Sequence, residues 1–165
     1  MEQDRRLFQA TPRLTLFGAV VRKLIITLAL ISAVAVSACY SSDYARETAA
    51  NVALLSDLAD KLGDFTRSGF IIDGRALTSE EMGEFYYAFN KADTFASETP
   101  RENGLKSHHD FVELLNGYER FVHTADAYRL SGKPDPATVA ALLTLRDSVK
   151  QLARVVMDDL HAEKK

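Results

Sequence analysis

The sequence predicts an all-α protein: an antiparallel four-helix bundle with a short hairpin-like insert at residues 70–77. Three observations carry that expectation. Apolar residues beyond residue 42 recur three or four positions apart in four long stretches. Glycine, proline and small polar residues interrupt the pattern between them. Capping residues stand where the stretches begin. Four amphipathic helices of roughly 19–28 residues joined by short loops pack as neighbours that alternate in direction.

The first helix is expected over about 43–67. Tyr44, Thr48, Val52, Leu55, Leu58, Leu62 and Phe65 form its inner stripe. Ser42 is placed to cap it, Asp43 and Glu47 suit the positive end of its dipole, and Gly69 ends it. Asp73-Gly74 between the apolar triplets Phe70-Ile71-Ile72 and Arg75-Ala76-Leu77 is a tight-turn signal. A lone two-stranded hairpin is marginal in water, so this one has to pack on the helices or be an ordered loop instead. Thr78 and Glu81 make a capping box for the second helix, flanked by Leu77 and Met82 at the staple positions. Its expected buried stripe is Met82, Phe85, Tyr86, Phe89, Ala92 and Phe95. The third helix is expected from about Ser107, with Ser107 and Asp110 as a weaker box, to Leu130. Phe111, Leu114, Leu115, Tyr118, Phe121, Val122, Ala125 and Tyr128 face inward. Ser131-Gly132-Lys133-Pro134 breaks it, and Asp135 followed by Pro136 opens the fourth. Val139, Leu142, Leu145, Val149, Leu152, Val156 and Leu160 continue the pattern to a basic end.

The chain of 165 residues has a net charge of −3. Residues 1–38 hold five of its 20 basic and two of its 23 acidic residues, so residues 39–165 carry −6. An acidic body argues against nucleic acid as a partner, because no basic patch is available to displace counterions. A single cysteine, Cys39, excludes an intramolecular disulfide and a cysteine-rich metal centre.

The N-terminus carries a different signal. Residues 24–38 are uncharged and apolar, ending in small residues, with Arg22 and Lys23 directly before them. These are the parts of a secretory signal, and the run is short for a transmembrane helix. It closes on Val36-Ser37-Ala38-Cys39. That tetrad resembles the lipobox of bacterial lipoproteins: an aliphatic residue, two small ones and a cysteine. The resemblance covers these four residues and the preceding signal, and no family is recognised for the remainder. It implies transfer of a diacylglyceryl group to the Cys39 thiol, cleavage between Ala38 and Cys39, and acylation of the new terminus. Tyr40 follows the cysteine where an aspartate commonly retains such proteins at the inner membrane, so the resemblance implies an outer-membrane lipoprotein facing the periplasm in a Gram-negative cell. An uncleaved anchor and an ordinary cleaved signal are the other readings of the segment. The expected organisation is a signal peptide over 1–38, a tether over 39–42 and the bundle over 43–165. At about 3.6 Å per residue the tether reaches only about 10 Å, which rests the bundle against the membrane.

Candidate chemistry is sparse. Glu119 and His123 are spaced i, i+4 on the third helix, as are His109 and Glu113. Carboxylate and imidazole can hold a metal in a bundle, but the Glu-x-x-His signature of di-iron proteins is missing, and solvated flank positions are the plainer reading. Asp57, Asp60 and Asp64 lack the loop geometry of a calcium site and fit a solvated acidic face. His108 and His109 are adjacent and so cannot share one face. Tyr87 lies about 100° around the second helix from Tyr86, on the side of Gly83 and Asn90. An exposed tyrosine anchors partners, and a glycine beside it permits close approach. Tyr87 and Gly83 are therefore the candidate partner surface, against plain packing on residues 70–77. No nucleophile elbow, phosphate loop, zinc-protease or haem-attachment motif occurs.

The expected function is a non-enzymatic, lipid-anchored module of the cell envelope, binding membrane through Cys39 and another envelope protein through its surface, with no cofactor. The alternative is a small-ligand or metal-binding bundle with a pocket lined by Tyr86, Tyr118 or Tyr128. An enzyme comes last.

Overall fold

The computed structural model describes residues 43–99, 104–133 and 135–163. Ala38, Cys39 and the expected cap Ser42 lie outside the described residues. Residues Tyr44–Lys165 make one compact unit. Its elements in order are α1 (43–67), β1 (Ile71–Ile72), β2 (Arg75–Ala76), α2 (Ser79–Glu98), α3 (Lys106–Ser131) and α4 (Pro136–Glu163). The fold is all-α, and no described helix is long and apolar enough to cross a membrane.

Side-chain pairs fix the helix order. Tyr44 stacks on Phe95 at 5.8 Å, while Lys61 reaches Glu84, so α1 and α2 run in opposite directions. Phe95 meets Phe111 near one end of α2 and α3, and Tyr86 meets His123 nearer the other. Lys106 pairs with Asp159, and an added Cβ at Gly117 would stand 3.3 Å from Leu152, so α4 runs back along α3. Lys150 pairs with Asp60, which closes the ring of four between α4 and α1.

The core sits between all four. Val52, Leu55, Leu62, Met82, Phe85, Phe111, Leu114, Tyr118, Phe121, Val122, Leu142, Val149 and Val156 are fully buried. The inner face of α2 differs from the expected stripe. Ala88 and Ala96 join Met82, Phe85 and Ala92 at its centre, while Tyr86, Phe89 and Phe95 are only partly buried. Small residues at the centre let neighbouring helices approach, and the aromatics close over the seam from its sides.

The insert is a hairpin. Ile71 pairs with Ala76 and Ile72 with Arg75, and Asp73 and Gly74 both have positive φ. Two successive positive-φ residues give a turn whose twist matches that of the strands. Phe70 anchors it to the bundle, buried against Tyr128 with ring centroids 6.0 Å apart. The capping box of α2 forms from both sides: the Glu81 N–H donates to the Thr78 hydroxyl, and the Thr78 N–H donates to the Glu81 carboxylate.

One expected cap is corrected. Ser107 does not cap α3. The helix begins at Lys106 with Leu105 as its cap, which gives no side-chain hydrogen bond. The Ser107 N–H and hydroxyl instead donate to the carboxylate of Glu163, in the last turn of α4. A carboxylate from a neighbouring helix thus meets orphan donors at the start of α3.

The helix starts carry a pH dependence. Arg75 forks onto Glu81 at 2.6 and 2.8 Å. Together with the Thr78 N–H and hydroxyl, it holds the Glu81 carboxyl well below the usual range. At α4, the Thr138 hydroxyl and the N–H groups of Ala137 and Thr138 lower Asp135 in the same sense. Each acid titrates below its unfolded value, so its stabilisation is complete above about pH 5 and drains as pH falls through the folded value. Acidification from about pH 7 to about pH 3 is expected to lower the urea midpoint. A Glu81→Gln, Asp135→Asn double variant is expected to lose less over the same interval, and equal losses would refute the assignment.

Candidate interaction surface

Tyr87 projects from α2 with 71% of its surface exposed, and Leu54 of α1 is 40% exposed beside it. The two line a shallow groove of ≈ 480 Å³ with Leu58, Gly83, Glu84 and Ala88. At Gly83 an added Cβ would meet no atom within 4 Å, so the backbone there lies open. Beyond Tyr87 the surface continues into a second groove of ≈ 460 Å³, lined by Glu47, Asn51, Asn90, Lys91, Thr94, Phe95 and Glu98. The hairpin does not cover this face. Phe70 and Ile71 instead border a separate groove with Tyr128, Arg129 and Gly132.

Leu54 was not singled out from the sequence. The signal was present, since it is an apolar residue standing off the stripe of Val52, Leu55 and Leu58. Its placement beside Tyr87 depends on how α1 packs against α2, which periodicity within one helix does not encode.

The other candidates fall in separate places. Glu119 and His123 lie on the exposed flank of α3, 3.8 Å apart. His123 Nδ1 is also 3.3 Å from the Tyr86 hydroxyl. That hydroxyl donates to Asp126, which in turn accepts from Arg129 at 2.9 and 2.7 Å. Burial, and then the charge of Asp126, raises the Tyr86 pKa above its ordinary value. Arg129 reaches on to the Leu77 carbonyl at 3.1 Å, so this polar chain ties α3 to the entry of α2. Among the described residues, no three or more His, Cys, Asp or Glu side chains converge as metal ligands would.

The three tyrosines of the pocket alternative stand in three different settings. Tyr118 is fully buried with its hydroxyl 3.5 Å from the Phe85 carbonyl, and burial raises its pKa. Tyr86 belongs to the polar chain on the flank. The Tyr128 hydroxyl accepts from the Asp135 N–H at 2.9 Å and so orders the turn before α4. Asp60 and Asp64 pair with Lys150 and Arg67, and Asp57 is exposed. His109 is exposed, whereas His108 is buried, with Nδ1 3.3 Å from the Tyr44 hydroxyl.

Fold and surface together define a helical bundle with an open apolar groove on one side wall. Comparison of the chain with protein families, curated proteins and solved structures finds no match.

Proposed function

We propose that the chain is a lipid-anchored lipoprotein of the bacterial envelope. Its helical bundle acts as a non-enzymatic interaction module, with the α1–α2 side wall as its contact surface. The observation that carries the contact surface is the pairing of Tyr87 and Leu54, two large exposed side chains on adjoining helices, over an open glycine. Aromatic anchors set in an apolar depression are what binding hot spots are built from. The anchor rests on Val36-Ser37-Ala38-Cys39 after an apolar run, and its partner on that side is the membrane. An envelope lipoprotein held this way meets its protein partners sideways, along the same surface that it is fastened to.

Detergent extracts of envelopes test the contact surface. The wild-type chain is expected to migrate as a complex larger than its monomer on a native gel. Tyr87→Ala is expected to migrate as the monomer, with an unfolding free energy within about 0.5 kcal/mol of wild type, as for other exposed substitutions. A wild-type chain that runs alone, in extracts made with and without crosslinking, would sink the reading.

A further inference from the structure

The side wall around Tyr87 is charged in a way that makes it its own complement. Its two banks are α1 and α2, which run in opposite directions. At one level Glu47 of α1 stands across the groove from Lys91 of α2. Lys91 makes no ion pair among the described residues, and Glu47 meets Arg46 at 3.9 Å. At the other level Lys61 of α1 stands beside Glu84 of α2, 2.9 Å away. Between the levels lie Leu54, Leu58, Tyr87 and Ala88, with Gly83 next to Glu84. α1 therefore carries Glu47 and Lys61, and α2 carries Lys91 and Glu84 in the opposite order, with a further acid, Glu98, beyond Lys91.

We infer that this wall pairs with the same wall of a second copy of the chain, about a two-fold axis parallel to the helices. The inference rests on the interaction surface proposed above and names its occupant. Such an axis preserves level and exchanges banks, so α1 of one copy faces α2 of the other. Glu47 then meets Lys91 of the second copy, Lys61 meets Glu84, and Leu54 meets Tyr87. The space at Gly83 admits the opposing Leu58 side chain. A partner with a uniformly basic or acidic flank would satisfy one position on each bank and oppose the other. A lipid anchor on each copy, as proposed above, holds both copies in one leaflet. It also raises the effective concentration, so a small wall suffices where free diffusion would require a larger one.

The full chain, carrying a benzophenone amino acid in place of Tyr87, is irradiated in intact bacterial envelopes. The expected product has twice the chain mass and yields peptides of this chain alone. Lys91→Glu sets two acids face to face and is expected to lower that product about fivefold. Adding Glu47→Lys restores opposite charges and is expected to return the yield to within about twofold of the parent. Both positions are exposed, so folding is not at stake. Monomer alone, adducts with a different protein, or no rescue by the second reversal would each overturn the pairing. A palmitate analogue is followed on the same samples. A chain that crosslinks to itself without taking up the label keeps the pairing and removes the anchor. A labelled chain that does not crosslink does the reverse.

Discussion

Phe85→Ala lowers the unfolding free energy of the bundle by about 3–5 kcal/mol, the range for losing a fully buried aromatic ring. The Phe85 side chain is completely enclosed. Its ring meets Phe65 of α1 edge-on at 6.3 Å, and the Lys61 ammonium stands 5.8 Å from its centroid. Its carbonyl lies opposite the buried Tyr118 hydroxyl of α3. Removing the ring opens a hole between three helices whose backbones cannot all move in to fill it. In a unit of this size the loss corresponds to a melting temperature lower by about 10–20 °C. Thermal and urea unfolding followed by circular dichroism measure it directly. The contrast with Tyr87→Ala, two residues along the same helix, isolates burial as the cause. A loss below about 1 kcal/mol for Phe85→Ala would show that the ring is not sealed in a core.

Cys39→Ser is expected to abolish incorporation of a palmitate analogue and to move the chain from the membrane pellet to the soluble or uncleaved fraction. The thiol is the only one in the chain, so no other cysteine can take its place. Each buried methylene of an acyl chain contributes about 0.8 kcal/mol, and two or more chains give lasting attachment. The change in partition is therefore expected to be nearly complete. Fractionation with intact-mass measurement separates the cases. A wild-type chain that carries no added lipid mass, or a serine variant still cleaved and pelleted, would end the anchoring proposal.

Much of the fold was legible because its signals are local. Asp73-Gly74 announced the hairpin, and both residues adopt the positive φ that such a turn demands. Thr78 with Glu81 announced the start of α2, and Asp135 with Pro136 the start of α4. The start of α3 was misplaced by one residue and its cap misassigned, because the group that satisfies Ser107 is Glu163, 56 residues away. The same limit applies to the buried His108, which meets Tyr44 of another helix, and to Ala88 and Ala96, whose depth depends on how closely α2 is approached. At the contact surface, Tyr87 and Gly83 could be named because they stand off the apolar stripe. Leu54 needed the neighbouring helix in place, as did the opposed charges at Glu47 and Lys91.

The ring of helices has one seam that closes late. Lys150 and Asp60, which join α4 to α1, are 90 residues apart in the chain. At a synthesis rate of about 5–20 residues per second, the second half of that pair follows the first by roughly 5–20 s. Helical contacts between chain neighbours form in microseconds to milliseconds. The nascent polypeptide therefore has ample time to assemble α1, α2 and α3 while the seat for α4, which includes Val52, is still bare. Once α3 is complete at Ser131, Lys150 follows 19 residues later, about 1–4 s at that rate, and for that interval the molecule is a sticky three-sided trough that the ribosome, a chaperone or the export machinery has to shelter.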